Sequence, residues 1–323
     1  MLISFDSLTH QFETILLKQG FPKNKAELCA EIFAGNSRDG VHSHGANRFP
    51  VFIEHVKEKL INVDAEPAVI NREGVTENWD GNLAPGMYTA TLAMQRAIEL
   101  SKENNIGCVT VKNTNHWMRG GTYGWQAANA NCIGICITNT IANMPPWGGT
   151  EPRLGNNPIV VAVPRNEGHV VLDMAMSQFS YGKLQEYQFA NKDLPVPGGY
   201  DENGVLTTDP NKIKVSRRTL PMGYWKGSGL SLMLDVLVAG LSGGKTVAQI
   251  TAQKKEYGLS QIFICIDAQN LSSSIVEEII AFTKSGNDTS VRYPGEQVLA
   301  TRKKSLEKGI VVNDKIWEQL VNL

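Results

Sequence analysis

Residues 106–139 read IGCVTVKNTNHWMRGGTYGWQAANANCIGICITN, and this stretch decides the fold class. Gly107–Val111 and Ile133–Thr138 are short apolar runs of strand length, rich in β-branched residues. Between them Tyr123–Asn129 carries a helical pattern. Strand, helix and strand in one short segment predict an α/β core. The joint after the first strand holds Asn113, Asn115, His116, Trp117, Arg119, Gly120 and Gly121. A polar, glycine-rich loop leaving a strand end is where an α/β sheet places ligand sites. A tight turn with packing aromatics is the competing reading.

Working outward, the alternation continues. A helix over Thr91–Glu103 precedes the segment, and PAVINREGVTENWDGN before it suggests a hairpin. Strands are expected at Ile159–Val163, Val170–Leu172 and Gln261–Ile266, and an apolar helix at Gly229–Leu241. DLPVPGGYDENGVLTTDP reads as a polar, turn-rich excursion. Both chain ends are helical. Leu8, Phe12, Ile15 and Leu16 recur at helical spacing up to Gly20 and Pro22, and a second helix follows over Ala26–Phe33. A third is expected near Ala46 with Phe49, Phe52, Ile53 and Val56, and the last fifty residues are mostly helical. The expected organisation is a mainly helical domain from residues 1–65 and 295–323, and an α/β domain over 66–294.

Composition narrows the function classes. With 31 Lys+Arg against 32 Asp+Glu in 323 residues, the chain has no global pull toward phosphate backbones or anionic lipid. No nucleic-acid partner is expected. No apolar run approaches the ~18 residues of a membrane span, so no membrane association is expected. The N-terminal stretch carries Asp6 and Glu13 without a basic region or cleavage site, unlike a signal peptide. The five cysteines are odd in number and scattered, with Cys132 and Cys136 alone close together, which suits buried reduced thiols rather than a zinc ribbon. A cytoplasmic location follows as the expectation, in which the sequons at Asn270 and Asn287 carry no meaning.

Two glycine-rich motifs are decoys. No G-x-G-x-x-G is present, since Gly227 and Gly229 are followed by Leu232 where the third glycine belongs. Gly244-Lys245-Thr246 resembles the end of a P-loop, but Ala239 stands where its first glycine should be. Helix C-cap chemistry explains GLSGGKT better.

Three clusters could carry chemistry. Gly40–Arg48, GVHSHGANR, places His44 and Arg48 four apart at a loop-to-helix boundary that Ser43 or Asn47 could cap. A group that titrates near neutral pH beside a planar guanidinium suits a proton donor next to a substrate carboxylate. A capped helix with both side chains in solvent is the plainer alternative. A metal site on His42 and His44 lacks carboxylates at suitable spacing, so no metal is expected. His116 in the Gly-rich loop is the second cluster. Asp173, closing the run VVLD, is the third: a buried acid needs a partner, and it either pairs with a histidine or caps the helix that follows. Trp117, Trp125, Trp147 and Trp225 lie in glycine-flanked loops, which suggests a flat ligand.

In this order, SHGANRF, NHWMRGGTYGW, NMPPWGG, LGNNP, LDMAMSQFSYGKL and LPMGYWKGSGL resemble the malate/L-lactate dehydrogenase family that lacks a Rossmann fold. The resemblance covers essentially the whole chain. It implies a non-Rossmann core sheet flanked by helices, with residues 66–294 as the cofactor-binding domain. It also implies an NAD cofactor (NADH, or NADP in its place), a keto-acid substrate and a homodimer with sites near the subunit interface. His44 would be the catalytic acid/base and Asp173 its support, with Ser43, Arg48 and His116 lining the substrate pocket. His169, Val170, Val171, Leu172, Asp173, Met174 and Ala175, then Trp225 and Lys226, then Gly295, Glu296 and Gln297 would contact the dinucleotide. The implied reaction reduces the C2 ketone of a 2-keto sugar acid. Malate, L-lactate or sulfolactate chemistry is the nearest alternative, and a metal hydrolase, a lyase or a non-catalytic sugar-acid binder the distant ones. Asn156 departs from the family pattern, which often has Thr there.

Overall fold

A seven-stranded sheet organises the chain in the computed structural model, which describes residues 1–286, 288 and 290–323. The Asn287 sequon lies outside the described residues. The strands are β1 (Ala68–Glu73), β2 (Thr76–Asp80), β3 (Ile106–Thr114), β4 (Cys132–Thr138), β5 (Ile159–Val163), β6 (Val170–Met174) and β7 (Leu259–Asp267). Their spatial order is β1-β2-β3-β7-β4-β5-β6. Only β2 and β3 pair in parallel; every other neighbouring pair is antiparallel.

This order explains why the strand–helix–strand segment is no Rossmann unit. β3 and β4 run the same way but do not touch, because β7 lies antiparallel between them. β7 is buried along most of its length, as a central strand covered on both faces must be. On one face, α4 (Gly86–Asn104) and α5 (Gly121–Asn129) pack Met94, Ala97 and Tyr123 against Val109, Val111, Cys136 and Phe263. On the other, α7 (Trp225–Ser242) packs Leu234 and Val238 against Ile137 and Ile262.

The chain ends share a separate core. Helices α1 (Phe5–Lys18), α2 (Lys23–Arg38) and α3 (Phe49–Lys57) bury Phe12, Phe33, Phe49 and Phe52, with Phe12 and Phe49 stacked at 4.4 Å. Ile310, Val312 and Leu320 enter the same cluster, and Leu2–Ile3 pairs antiparallel with Ile310–Val311. The intervening α8 (Glu296–Lys308) instead leans Val298 and Leu299 on the sheet core.

Two local expectations change. The polar excursion folds into a small sheet of Gly199–Tyr200, Leu206–Thr207 and Arg218–Thr219, with a helix at Pro210–Ser216 over Leu184, Leu194 and Ile213. The helix expected near Ala46 begins only at Phe49. Two 3₁₀ turns, His42–His44 and Ala46–Arg48, precede it and break at Gly45, whose backbone leaves the helical region (φ −113°, ψ −128°). The helix Tyr181–Phe189, here α6, shows no strong periodicity in the sequence. GLSGGKT behaves as read: Gly243 caps α7 at φ +64°, and Thr246 with Gln249 forms a capping box for Val247–Ala252.

Candidate active site

His44 is braced from below by α2. Asn36 Nδ2 donates to the His44 carbonyl at 2.9 Å, and the Ala46 N–H donates to Ser37 Oγ at 2.9 Å. A side chain at Gly45 would overlap Ser37 Oγ, so only glycine lets the motif lie this close to the helix. The break at Gly45 means that His44 and Arg48 are held by successive turns, not by one helix face. Neither Ser43 nor Asn47 caps α3. Ser43 Oγ instead lies 3.1 Å from His44 Nδ1. Helix α6 closes over this serine, since a Cβ at Gly182 would overlap Ser43 Cβ.

The Gly-rich loop brings His116 onto His44. The two rings stack at 5.7 Å with an interplanar angle of 18°. Met118, at φ +64°, bends its loop so that its own N–H donates to His116 Nδ1 at 2.9 Å. A ring nitrogen that accepts cannot also carry the proton, so neutral His116 has its N–H at Nε2. Burial pushes both imidazoles down to about 3, helped at His44 by His116, Arg48 and Arg119, and at His116 by Arg48 and His55. Free of ligand, both are neutral.

Asp173 is placed differently from the expectation. No hydrogen bond joins it to His44 among the described residues. Its Oδ2 accepts the Gly121 N–H at 2.8 Å and lies 3.8 Å from Arg119 Nε. The glycine pair at 120–121 leaves the start of α5 bare, and a helix N-terminus attracts a carboxylate. Asp173 therefore crosses from the edge strand to finish a helix that precedes it in sequence. Burial raises its carboxyl, while Arg119 and the Gly121 N–H pull the other way, and about a quarter of the side chain (27%) stays open to solvent. Arg119 acts on both groups: its guanidinium faces Asp173, and its positive charge weighs against protonation of His44. That guanidinium, 5% exposed, also donates to Asp39 Oδ2 at 2.8 Å, and Asp39 takes two further bonds from Arg302 at 2.8 and 2.7 Å.

The three segments assigned to the dinucleotide meet along the open edge of β6. The Val171 N–H donates to the Pro294 carbonyl at 2.9 Å, and Gly295, at φ +96°, fits against the His169 and Val171 backbone where a Cβ would be crowded at 3.2 Å. By strand alternation the backbone groups of Asp173 face the same open edge. The Met222 N–H donates to the Met176 carbonyl at 2.8 Å, and Gly227 leaves no room for a Cβ there, which sets Trp225 and Lys226 beside the strand end. Trp225 is 64% exposed and Trp147 50% exposed, whereas Trp117 and Trp125 are buried packing residues. Only half of the tryptophan pattern therefore faces a possible ligand. His169 is turned aside, with Nε2 at 2.9 Å from Asn129 and Nδ1 accepting from the Arg165 N–H. Glycine cradles, outward backbone, exposed indole rings and a lysine fit a dinucleotide.

Sequence reading missed Glu256, Asp39 and Gly182. Asp39 stands one residue before the GVHSHG motif and could have been noticed as a nearby acid; Glu256, in KKEYG, carries no local signal. Asn156 accepts from Thr140 Oγ1 and Asn143 Nδ2, both at 3.0 Å, so the amide ties down the loop it departs in. No group of three or more metal-ligating side chains occurs among the described residues.

The sequence profile of the malate/L-lactate dehydrogenase family matches residues 3–321. The 2,3-diketo-L-gulonate reductase of Citrobacter koseri is 44% identical over 99% of both chains, and that of Escherichia coli 43% identical over the same share. Sulfolactate dehydrogenase from Methanocaldococcus jannaschii superposes with a TM-score of 0.89 at 29% identity, over 99% of this chain and 95% of that one. Malate dehydrogenase from Entamoeba histolytica shares the fold at a TM-score of 0.94 and 24% identity, over 100% of this chain and 96% of the other. With the histidine pair, the guanidiniums and the open strand edge in one place, this chain belongs to the malate/L-lactate dehydrogenase family, oxidoreductases acting on hydroxy and keto acids.

Proposed function

We propose that the protein reduces the C2 ketone of a 2-keto sugar acid with NADH or NADPH, 2,3-diketo-L-gulonate being the substrate its relatives indicate. The observation that carries the reading is the stacked His44–His116 pair beside Arg48, in a chain 44% identical from end to end to such a reductase. The outward backbone of β6 with Gly295, Trp225 and Lys226 would hold the dinucleotide, which when bound would supply hydride chemistry toward C2. Arg48 pairs with the C1 carboxylate and fixes the carbonyl carbon in place. His44 gives its proton to the C2 oxygen, with Ser43 beside its other nitrogen.

A neutral His44 must first gain that proton. A carboxylate seated on Arg48 cancels part of the positive field that suppresses its protonation, so substrate binding and proton uptake are coupled. Asp173 and Arg119 set the local charge from behind, and Asp173 acts as a support at one remove. Reduction of the shorter keto acids that match malate, L-lactate or sulfolactate is the second reading, favoured by the likeness to sulfolactate dehydrogenase. A panel of keto acids followed by NADH and NADPH absorbance tests both: absence of any turnover defeats the proposal, and the preferred acid chooses between them.

A homodimer belongs to the same proposal. Leu232, Met233, Val236 and Leu241 on α7 are more than half exposed, next to Trp225 and Lys226. An apolar face of this kind beside a ligand edge suits a partner subunit. The division into residues 1–65 with 295–323 and residues 66–294 is proposed on the two main hydrophobic clusters, with exceptions where Val298 and Leu299 of α8 lean on the sheet core and Met87 and Met118 enter the core of the chain ends. The five free cysteines support a reducing, cytoplasmic location. No helix among the described residues is long and apolar enough to cross a membrane.

A further inference from the structure

The loop after the helix Val247–Ala252 carries one carboxylate into the cleft that Arg48, Phe52, His55, Asn115 and His116 line. That residue is Glu256, whose side chain is only 15% exposed. One of its oxygens is already committed, because Oε2 accepts the Ile141 N–H at 3.0 Å. The tether aims the other oxygen, Oε1, at His116 Nε2, 3.8 Å away.

A separation of 3.8 Å is too long for a direct hydrogen bond. It is, however, a span that one oxygen atom can bridge at ordinary distance to both sides. The two sides differ in kind. His116 offers a donor, since its Nδ1 already accepts from Met118. Glu256 offers an acceptor. An oxygen that bridges them must accept from N–H and donate to the carboxylate. A hydroxyl does both, whereas a carboxylate or sulfonate oxygen has no proton to donate and adds a second negative charge against Glu256.

We infer that Glu256 and His116 together read a hydroxyl group on the substrate chain, and so select polyhydroxylated 2-keto acids over dicarboxylic and sulfonated ones. Selection comes partly from the bond made and partly from the charge excluded. A site built to hydrogen-bond a hydroxyl also rejects an analogue that leaves the buried pair unanswered. The inference rests on the keto-acid reading above and adds the substrate class to it.

Wild type, Glu256→Gln and Glu256→Leu are compared in two measurements. The first is kcat/KM for 2,3-diketogulonate and for oxaloacetate with reduced dinucleotide. Glutamine keeps the Ile141 tether on its one oxygen and turns an uncharged NH2 toward His116 in place of the charged acceptor, and it should move the ratio toward oxaloacetate at least tenfold. Leucine removes the acceptor and should lower diketogulonate reduction on the order of 10–100-fold. The second is calorimetric binding of L-gulonate and of L-malate, which needs no turnover. Wild type should bind gulonate at least tenfold more tightly, and Glu256→Gln should narrow that gap. If the glutamine variant weakens both acids in parallel, Glu256 is only a loop anchor and the inference falls. Malate bound as tightly as gulonate by wild type also overturns it. If wild type binds gulonate selectively, loses that in Glu256→Gln, yet reduces no keto acid, the hydroxyl reading stands and the proposed reaction falls.

Discussion

The two walls of the site are built in opposite ways. The His44 wall is finished within the chain: Asn36, Ser37, Ser43 and Met118 satisfy its polar groups, and Gly45 and Gly182 let helices close on it. The Trp225 wall is unfinished. Tyr224 holds a strained backbone (φ 60°, ψ −111°), Tyr224 and Trp225 are exposed, and the helix behind them shows an apolar face to solvent. Proton chemistry needs groups held within a fraction of an ångström, which internal packing supplies. A long, flexible ligand is better served by a surface that completes itself on binding and assembly.

Perturbing each wall should therefore give different signatures. The largest effect is expected at His44→Ala, which should lower kcat/KM by about 10²–10⁴ while dinucleotide binding, followed by fluorescence, stays intact. Wild-type turnover in that variant would remove His44 from catalysis. Asp39→Ala comes next, and its effect is on stability. Burial works against this carboxylate, but the Arg302 hydrogen bonds, Arg119 and Arg38 hold it ionised, so removing it takes a partner from three guanidiniums. A loss of about 3–5 kcal/mol is expected in urea unfolding. A midpoint unchanged from wild type would show that this network does not couple α2, the Gly-rich loop and α8.

On the other wall, Trp225→Ala should raise the dinucleotide KM by about two- to tenfold, the worth of one aromatic contact, with the unfolding midpoint unmoved. A fall in stability as large as that of Asp39→Ala would erase the contrast. Val236→Lys should produce a monomer by light scattering, whereas an unchanged mass would place the subunit contact elsewhere.

The smallest and most graded effect is that of pH. His44 and His116 are held near 3 in the fold against an ordinary value of about 6.5. Below 6.5 the unfolded chain binds protons that the folded chain refuses, so stability is complete above that point and declines as pH falls toward about 3. Asp39, held below its ordinary value of 3.8, adds a further loss that sets in as pH falls toward and below 3.8, overlapping the foot of the histidine window. Keto-acid binding should have the opposite trend, tightening from pH 8 to 6 with uptake of about one proton, because the complex raises the His44 pKa. A pH-independent affinity would contradict the coupling.

Legibility followed the range of the interactions. The strands around the Gly-rich loop, the helical chain ends and the C-cap at Gly243 were readable because periodicity and glycine geometry act over a few residues. Helix α6 and the small sheet at Gly199–Thr219 were not, since both are held by contacts to Leu184, Leu194 and Ile213 rather than by local pattern. In the site, His44, Arg48 and His116 stood out by residue type. The direct Asp173–His44 pair was the wrong partner choice: a carboxylate can be attracted by a histidine or by a helix N-terminus, and only the course of β6 past Gly121 selects between them.

The amino-acid order alone settled the α/β class, the near-balance of charge, the absence of a phosphate-loop signature and the family. Each depends on residue type and spacing along the chain. The tertiary structure decided that β7 separates the strands of the deciding segment, that Asp173 answers to α5, and that Glu256 faces His116 across 3.8 Å. Those facts join residues as far apart as 116 and 256. Their pairing depends on where the strands and loops come to rest, and no local rule of the chain encodes it.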